Sequence, residues 1–234
     1  MFIGVGNPIP RIANLPGASR PGSGGGGGGS LAQVDNLYSF QFDGVGSYYD
    51  AGNPSALDMT GALSISFWLK APNQTQYRGI ISKAPSTASI VSQAQYHIEV
   101  SGTTSKTIRF VVTGVDLKSG TETTGSVPSI DFDQWMHIVM TWNGSTELIV
   151  YKNGVQAATK TVTSRTITSN SNDVLFGRRL GYGYLEGNMD EVAFFNTALS
   201  ATDITNIYNA TTTGKTADLS ALSTPPVAWY RMGD

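Results

Sequence analysis

The chain has 234 residues, with 15 Lys and Arg against 17 Asp and Glu and a formal net charge of −2. It therefore lacks the broad basic field that holds a nucleic acid backbone or an anionic membrane, and neither is expected as a partner. With no cysteine it forms neither a disulfide framework nor a thiolate metal site, and His97 and His137 are too far apart in sequence for paired zinc spacing. No apolar run reaches the length of a membrane span or resembles a signal-peptide core, and the length suits one β sandwich around one core.

Residues 1–23 read as an extended arm. Prolines at 8, 10, 16 and 21 fix φ and remove backbone donors, so the segment cannot build a core of its own. Phe2, Ile3, Val5, Ile9, Ile12 and Leu15 are too apolar for a merely solvating tail, and are expected to bury against a partner surface. Residues 24–34, opened by a glycine run, read as a flexible linker.

From Leu37 the pattern alternates. Phe40 and Phe42 are separated by Gln41, and Leu63, Ile65, Phe67 and Leu69 are separated by Ser64, Ser66 and Trp68, which predicts strands with one face in a core. Further strands are predicted at residues 79–83, 96–100, 107–113, 135–142, 147–152, 155–161 and 174–177. Asn153-Gly154 is the dipeptide a type I′ hairpin turn requires. In the strand predicted at 189–195, strict alternation puts Met189, Glu191, Ala193 and Phe195 on one face and Asp190, Val192 and Phe194 on the other.

Ser200 and Asp203 form a capping box, and Leu199 and Ile204 stand at the positions of a hydrophobic staple, so a single late helix is predicted to start at Ser200. The apolar residues 227–230 read as a last strand within a return segment, 216–234, or as the start of a further module. Many short strands, turn-rich connections and one late helix predict an all-β fold: a two-sheet antiparallel jelly-roll sandwich with one short C-terminal helix and an extended N-terminal arm.

Four segments occur in a familiar order: FDGVGSYYDAG at 42–52, ALSISFWLKA at 62–71, WMHIVMTWNGSTELIVYKNGVQAA at 135–158, and the Gly-x-Met-Asp-Glu-Val run at 187–192. Together they resemble the laminin G-like and pentraxin-like branch of the concanavalin A-like jelly rolls, with the domain spanning residues 35–215. Many members hold a structural Ca2+ on loop oxygens, and Asp43 and Asp190 resemble recurring acidic positions there. The residues alone, with no dense acidic cluster, favour a turn-stabilising Asx bond for Asp43 and a capping role within the sheet for Asp190.

NPIPRIANLPGASRPG followed by polyglycine is similar to the leading segment of virion proteins from tailed bacteriophages. That resemblance implies a virion structural protein on the phage particle surface, with the arm holding a major capsid or tail protein and the sandwich associating as a homo-oligomer.

The jelly-roll glucanases cleave with carboxylates in a Glu-x-Asp-x-x-Glu arrangement, which this sequence lacks. Asp190 and Glu191 are adjacent, Glu99 stands alone in YHIEV, and no Gly-x-Ser-x-Gly elbow exists, so a non-enzymatic role is expected. For a host surface glycan, stacking needs aromatic rings beside planar polar groups. Tyr182, Tyr184, Arg178 and Arg179 form the leading candidate set, ahead of Tyr48, Tyr49 and Tyr77 with Arg78. Trp68, Trp135 and Trp142 are expected in the core.

Overall fold

The computed structural model describes residues 31–74, 76–86, 90–101, 106–118 and 124–232. The arm and its six apolar residues, and the start of the linker, lie outside them. In chain order the elements are β1 (Gln33–Asp35), β2 (Phe40–Asp43), β3 (Tyr49–Asp50), β4 (Leu63–Lys70), β5 (Arg78–Lys83), α1 (Ile90–Gln93), β6 (Tyr96–Val100), β7 (Ile108–Val112), β8 (Val115–Leu117), β9 (Thr124–Gly125), β10 (Met136–Trp142), β11 (Glu147–Lys152), β12 (Val155–Thr161), β13 (Leu175–Phe176), β14 (Glu186–Phe195), α2 (Ala201–Ala210), β15 (Lys215–Ala217) and β16 (Ala228–Tyr230).

An eight-stranded sheet runs β16-β14-β4-β10-β11-β12-β9, with β2 also on β14, and a six-stranded sheet runs β3-β13-β5-β6-β7-β8. β1 pairs β15 beside them. The predicted strands appear with their ends shifted by at most a residue or so, except that β14 begins at Glu186, three residues before its predicted start, and the β11–β12 turn has φ of 52° at Asn153 and 78° at Gly154, as a type I′ turn demands.

Period-two alternation decides which side chains meet. Leu63, Ile65, Phe67 and Leu69 of β4 face Tyr96, Ile98 and Val100 of β6 across one core, which also takes in Phe42, Trp142, Phe176 and Phe194. Each such fully buried side chain contributes about 1.5–3 kcal/mol. The remaining faces of the two sheets differ in covering.

On the eight-stranded sheet the outward residues Val139, Tyr151, Ala193 and Phe195 are sealed by Ile204, Ile207 and Ala210 of α2. That helix begins where capping chemistry places it. Ser200 is extended (φ −72°, ψ 155°), its Oγ accepts from Asp203 N–H at 3.1 Å, and Leu199 and Ile204 share the same buried cluster. The Asp203 carboxylate accepts the Ser200 hydroxyl at 2.6 Å, so the pair closes on itself.

Three expectations need correction. First, Met189 and Val192 both face the main core, because the ladder slips between Asp190 and Ala193: Asp190 stands opposite Trp68 and Ala193 opposite Ser66. Glu191, at φ 51°, is the extra residue of a bulge, and the alternation restarts after it. Second, Trp142 is in the main core, but Trp68 and Trp135 are buried outside it, on the sheet's outer face against Tyr208. Third, a second helix exists: the single turn α1, whose Ile90 packs with Ala84, Ala94 and Val111. β16 pairs with β14 through Val192 and Tyr230, so residues 228–230 are a strand of the eight-stranded sheet.

Candidate functional site

The outer face of the six-stranded sheet is largely polar, apart from Val111, which lies under α1. The inward positions of β6, β7 and β8 are apolar, so the alternate positions His97, Glu99, Arg109 and Asp116 fall on the other side, joined by Ser82 of β5. Ladder register sets Glu99 opposite Arg109. Arg109 Nη1 donates to Glu99 Oε1 at 2.9 Å, while Nε and Nη2 donate to the two oxygens of Asp116 at 2.7 and 2.9 Å. His97 Nε2 lies 3.1 Å from Glu99 Oε2, and its Nδ1 lies 3.0 Å from Ser82 Oγ.

Burial alone would raise the Glu99 carboxyl, but the His97 imidazole and the guanidinium groups of Arg179 and Arg109 outweigh it and hold the group at about 2. Burial lowers His97 below its ordinary value and wins over the Glu99 charge, so the ring is neutral at neutral pH.

Arg179 reaches this network from the β13–β14 connection, because Gly79 leaves room for it. Gly79 pairs with Glu99, and a Cβ there would lie 2.4 Å from Arg178 C and Arg179 N. The backbone of 178–179 therefore rests on the sheet where a side chain would stand, and Arg179 Nη1 donates to Glu99 Oε2 at 2.8 Å. Tyr182 N–H donates to Arg179 C=O at 3.2 Å, closing a turn that brings the Tyr182 ring to 3.5 Å from the Arg179 guanidinium centre.

That ring is 52% exposed, whereas Arg179 beneath it is 6% exposed. Tyr77, Arg109, Arg179 and Tyr182, with Ile90, Val91 and Ser92 of α1, enclose a cleft of about 390 Å³. Two tyrosine rings, an apolar helix wall and two guanidinium groups form a surface that can stack a ring and donate hydrogen bonds to it.

The four residues expected to act together divide into two groups. Tyr182 and Arg179 line the cleft, while Arg178 lies over Tyr48 (4.6 Å) and Tyr184 (5.2 Å) in a separate cation–π cluster. Of the lesser set, Tyr77 lines the cleft, Arg78 Nη1 donates to the carbonyls of Gly44 and Tyr184, and Tyr49 packs on the core, stacked on Phe176 at 5.5 Å.

The two carboxylates expected to share a calcium ion are not brought together. Asp43 pairs with Glu186, and Asp190 lies four residues farther along β14, roughly 13 Å at the rise of a strand. Asp43 Oδ1 accepts from Val45, Gly46 and Ser47 N–H and from Ser47 Oγ, all within 2.9 Å, which is an Asx-type turn. Those backbone donors hold its carboxyl well below the usual range. Asp190 Oδ1 accepts from Glu191 N–H at 2.8 Å. Among the described residues no group of three or more His, Cys, Asp or Glu is arranged to hold a metal, so these side chains do not fit a bridging ion.

Arg109 was not singled out in the sequence, and Glu99, read as solitary, is the hub of the network. Their signal is the polar residues at alternate positions of three consecutive apolar strands, two in YHIEV and one each in IRFVV and VDL. Only the register that pairs Glu99 with Arg109 turns it into a site.

A family profile described as the concanavalin A-like lectin/glucanases superfamily matches residues 43–205. The chain belongs to that superfamily. Solved structures of the same fold include the native heptameric SAP-like pentraxin from Limulus polyphemus (16% identity, TM-score 0.50, covering 72% of this chain and 80% of that one). Another is domain 4 of AbnA, an extracellular arabinanase from Geobacillus stearothermophilus, in complex with arabinotriose (19%, TM-score 0.53, 76% and 81%). A Bacteroides ovatus protein named for carbohydrate binding aligns at 13% identity and TM-score 0.59, covering 88% of this chain, which spans 53% of that protein. No curated protein sequence matches this superfamily member.

Proposed function

We propose that this jelly roll is a non-enzymatic glycan-binding module whose ligand occupies the cleft over the six-stranded sheet. The observation that carries the reading is the half-exposed Tyr182 ring held on the Arg179 guanidinium at the mouth of a cleft of about 390 Å³. A sugar offers apolar CH faces to Tyr182 and Tyr77 and hydroxyl acceptors to Arg109 and Arg179. Domain 4 of AbnA, a neighbour of the same fold, was solved with arabinotriose, which favours a saccharide as the class of ligand.

Hydrolysis fits poorly. Glycoside cleavage needs one carboxyl kept protonated as an acid and a second beside the scissile bond. Glu99 is fully buried and held near 2, and both Asp116 oxygens accept from Arg109. The test is the full chain on a broad glycan array, beside Tyr182→Ala. Binding is expected in the parent and lost in the variant with its melting temperature unchanged. Silence across the array removes the reading.

The setting of the module is part of the same proposal: display on a phage virion, with Phe2, Ile3, Val5, Ile9, Ile12 and Leu15 of the arm buried on a capsid or tail protein. It is supported by the arm's apolar, proline-rich sequence and its resemblance to virion leaders, since prolines lower the ordering cost of binding. Removal of residues 1–23 is expected to leave a folded sandwich that no longer enters particles, and undiminished incorporation overturns the anchoring role.

A further inference from the structure

We propose that the cleft selects an acidic glycan, a polysaccharide bearing uronic-type carboxylates, with Arg179 as the carboxylate's partner. This rests on the glycan-binding reading and adds the chemical class of sugar.

The charges of the cleft do not close on themselves. Arg109 and Arg179 are the two charged residues that line it. The carboxylates nearest them are spent below: Glu99 has one oxygen on Arg109 and the other on Arg179, and both oxygens of Asp116 accept from Arg109. A guanidinium has five N–H donors, of which Arg109 uses three in these bonds.

Arg179 donates through Nη1, whereas its Nε is buried and has no partner. A buried donor left unmade is costly and uncommon, so this one marks where an acceptor belongs. Nε and Nη2 share one edge of the guanidinium plane, and two parallel bonds from that edge match the two oxygens of a carboxylate. A hydroxyl offers a single oxygen and no charge in return.

Tyr182 occupies a different part of the same group. Its ring covers the guanidinium face, 3.5 Å from the centre, and takes none of the in-plane N–H donors, of which Nε is closed off from solvent. Tyr182 is half-exposed, and its side chain must turn aside for a ligand carboxylate to reach the buried Nε edge.

The experiment is affinity electrophoresis and calorimetry of the full chain. The acidic probes are polygalacturonate, alginate, hyaluronan and polysialate, each beside its carboxyl-reduced form. Neutral arabinan, galactan and dextran, and dextran sulfate, are the remaining probes. At least one carboxylated polymer is expected to bind, with affinity falling roughly tenfold or more on carboxyl reduction and again in Arg179→Gln, the loss expected for a charge-assisted pair.

Equal binding of a polymer and its reduced form, or preference for a neutral polymer, overturns acid selection and leaves the glycan reading standing. Equal binding of dextran sulfate shows general attraction of anions and also overturns it. Silence on every polymer removes both readings. Should Arg179→Gln fail to fold, the comparison of native and reduced polymers on the parent chain decides alone, with Tyr182→Ala as the second variant.

Discussion

The two sheets turn opposite kinds of surface outward. Beyond the eight-stranded sheet, Val139, Tyr151, Ala193 and Phe195 are closed under Ile204 and Ile207 of α2, whereas beyond the six-stranded sheet Glu99, Arg109 and Arg179 form a charged floor that a turn of helix and two tyrosines only partly cover. Both faces are built by the same period-two rule. What differs is what the outward positions carry, and so whether the protein covers them itself or leaves them to a ligand.

The charged floor is most vulnerable at Glu99. Glu99→Gln leaves two guanidinium groups without their shared carboxylate and is expected to cost about 3–5 kcal/mol, read in denaturant melts, together with ligand binding. On the opposite face Ile204→Ala should cost about 2–5 kcal/mol through lost packing while glycan affinity stays at the parent value. If both variants lose binding, the two faces are coupled and the contrast fails.

Acid sharpens the same contrast, since each face buries one histidine. His137, between Trp68 and Tyr208, is held down to about 3 by burial alone, and burial lowers His97 as well, against the pull of the Glu99 carboxylate beside it. The unfolded chain takes up a proton below about 6.5 that folded His137 refuses until about 3. Stability therefore falls as pH falls through that window. Glu99, lowered from 4.5 to about 2, adds stability that is full above 4.5 and lost as pH drops toward 2. His137→Gln is expected to lessen the fall in melting temperature between pH 6.5 and 4.5, with His97 keeping the remainder, and an unchanged slope refutes this account.

Much of the sandwich was legible because its signals are local. The Asn153-Gly154 turn, the alternation of Leu63 to Leu69 and the Ser200 cap each depend on a few neighbouring residues. The bulge at Glu191 was not, since an extra residue in a strand leaves no mark in its own composition and shows only against the partner, Trp68 and Ser66. The site fell between these cases. Tyr182 and Arg179 announced themselves as an aromatic and a cation in a glycine-rich turn, but Arg179 meets Glu99, eighty residues earlier, only because Gly79 lets the backbone pass. Arg178 and Arg179 are identical in type and adjacent, and nothing in the sequence separates the one in the cleft from the one stacked on Tyr48.

β2 and β16 lie along the same side of β14, Phe40 opposite Met189 and Tyr230 opposite Val192, and both run antiparallel to it. Tyr230 thus points along the strand toward Phe40, and Arg231 donates to the Asp35 carbonyl nearby. A circular permutant that splices the segment after Tyr230 onto the one before Phe40, and opens the chain at the Asn153-Gly154 turn, would trace one uninterrupted ribbon past β14. Cooperative melting of that rewired chain is the expected result, and a collapsed transition would show that the break between the two strands is itself needed.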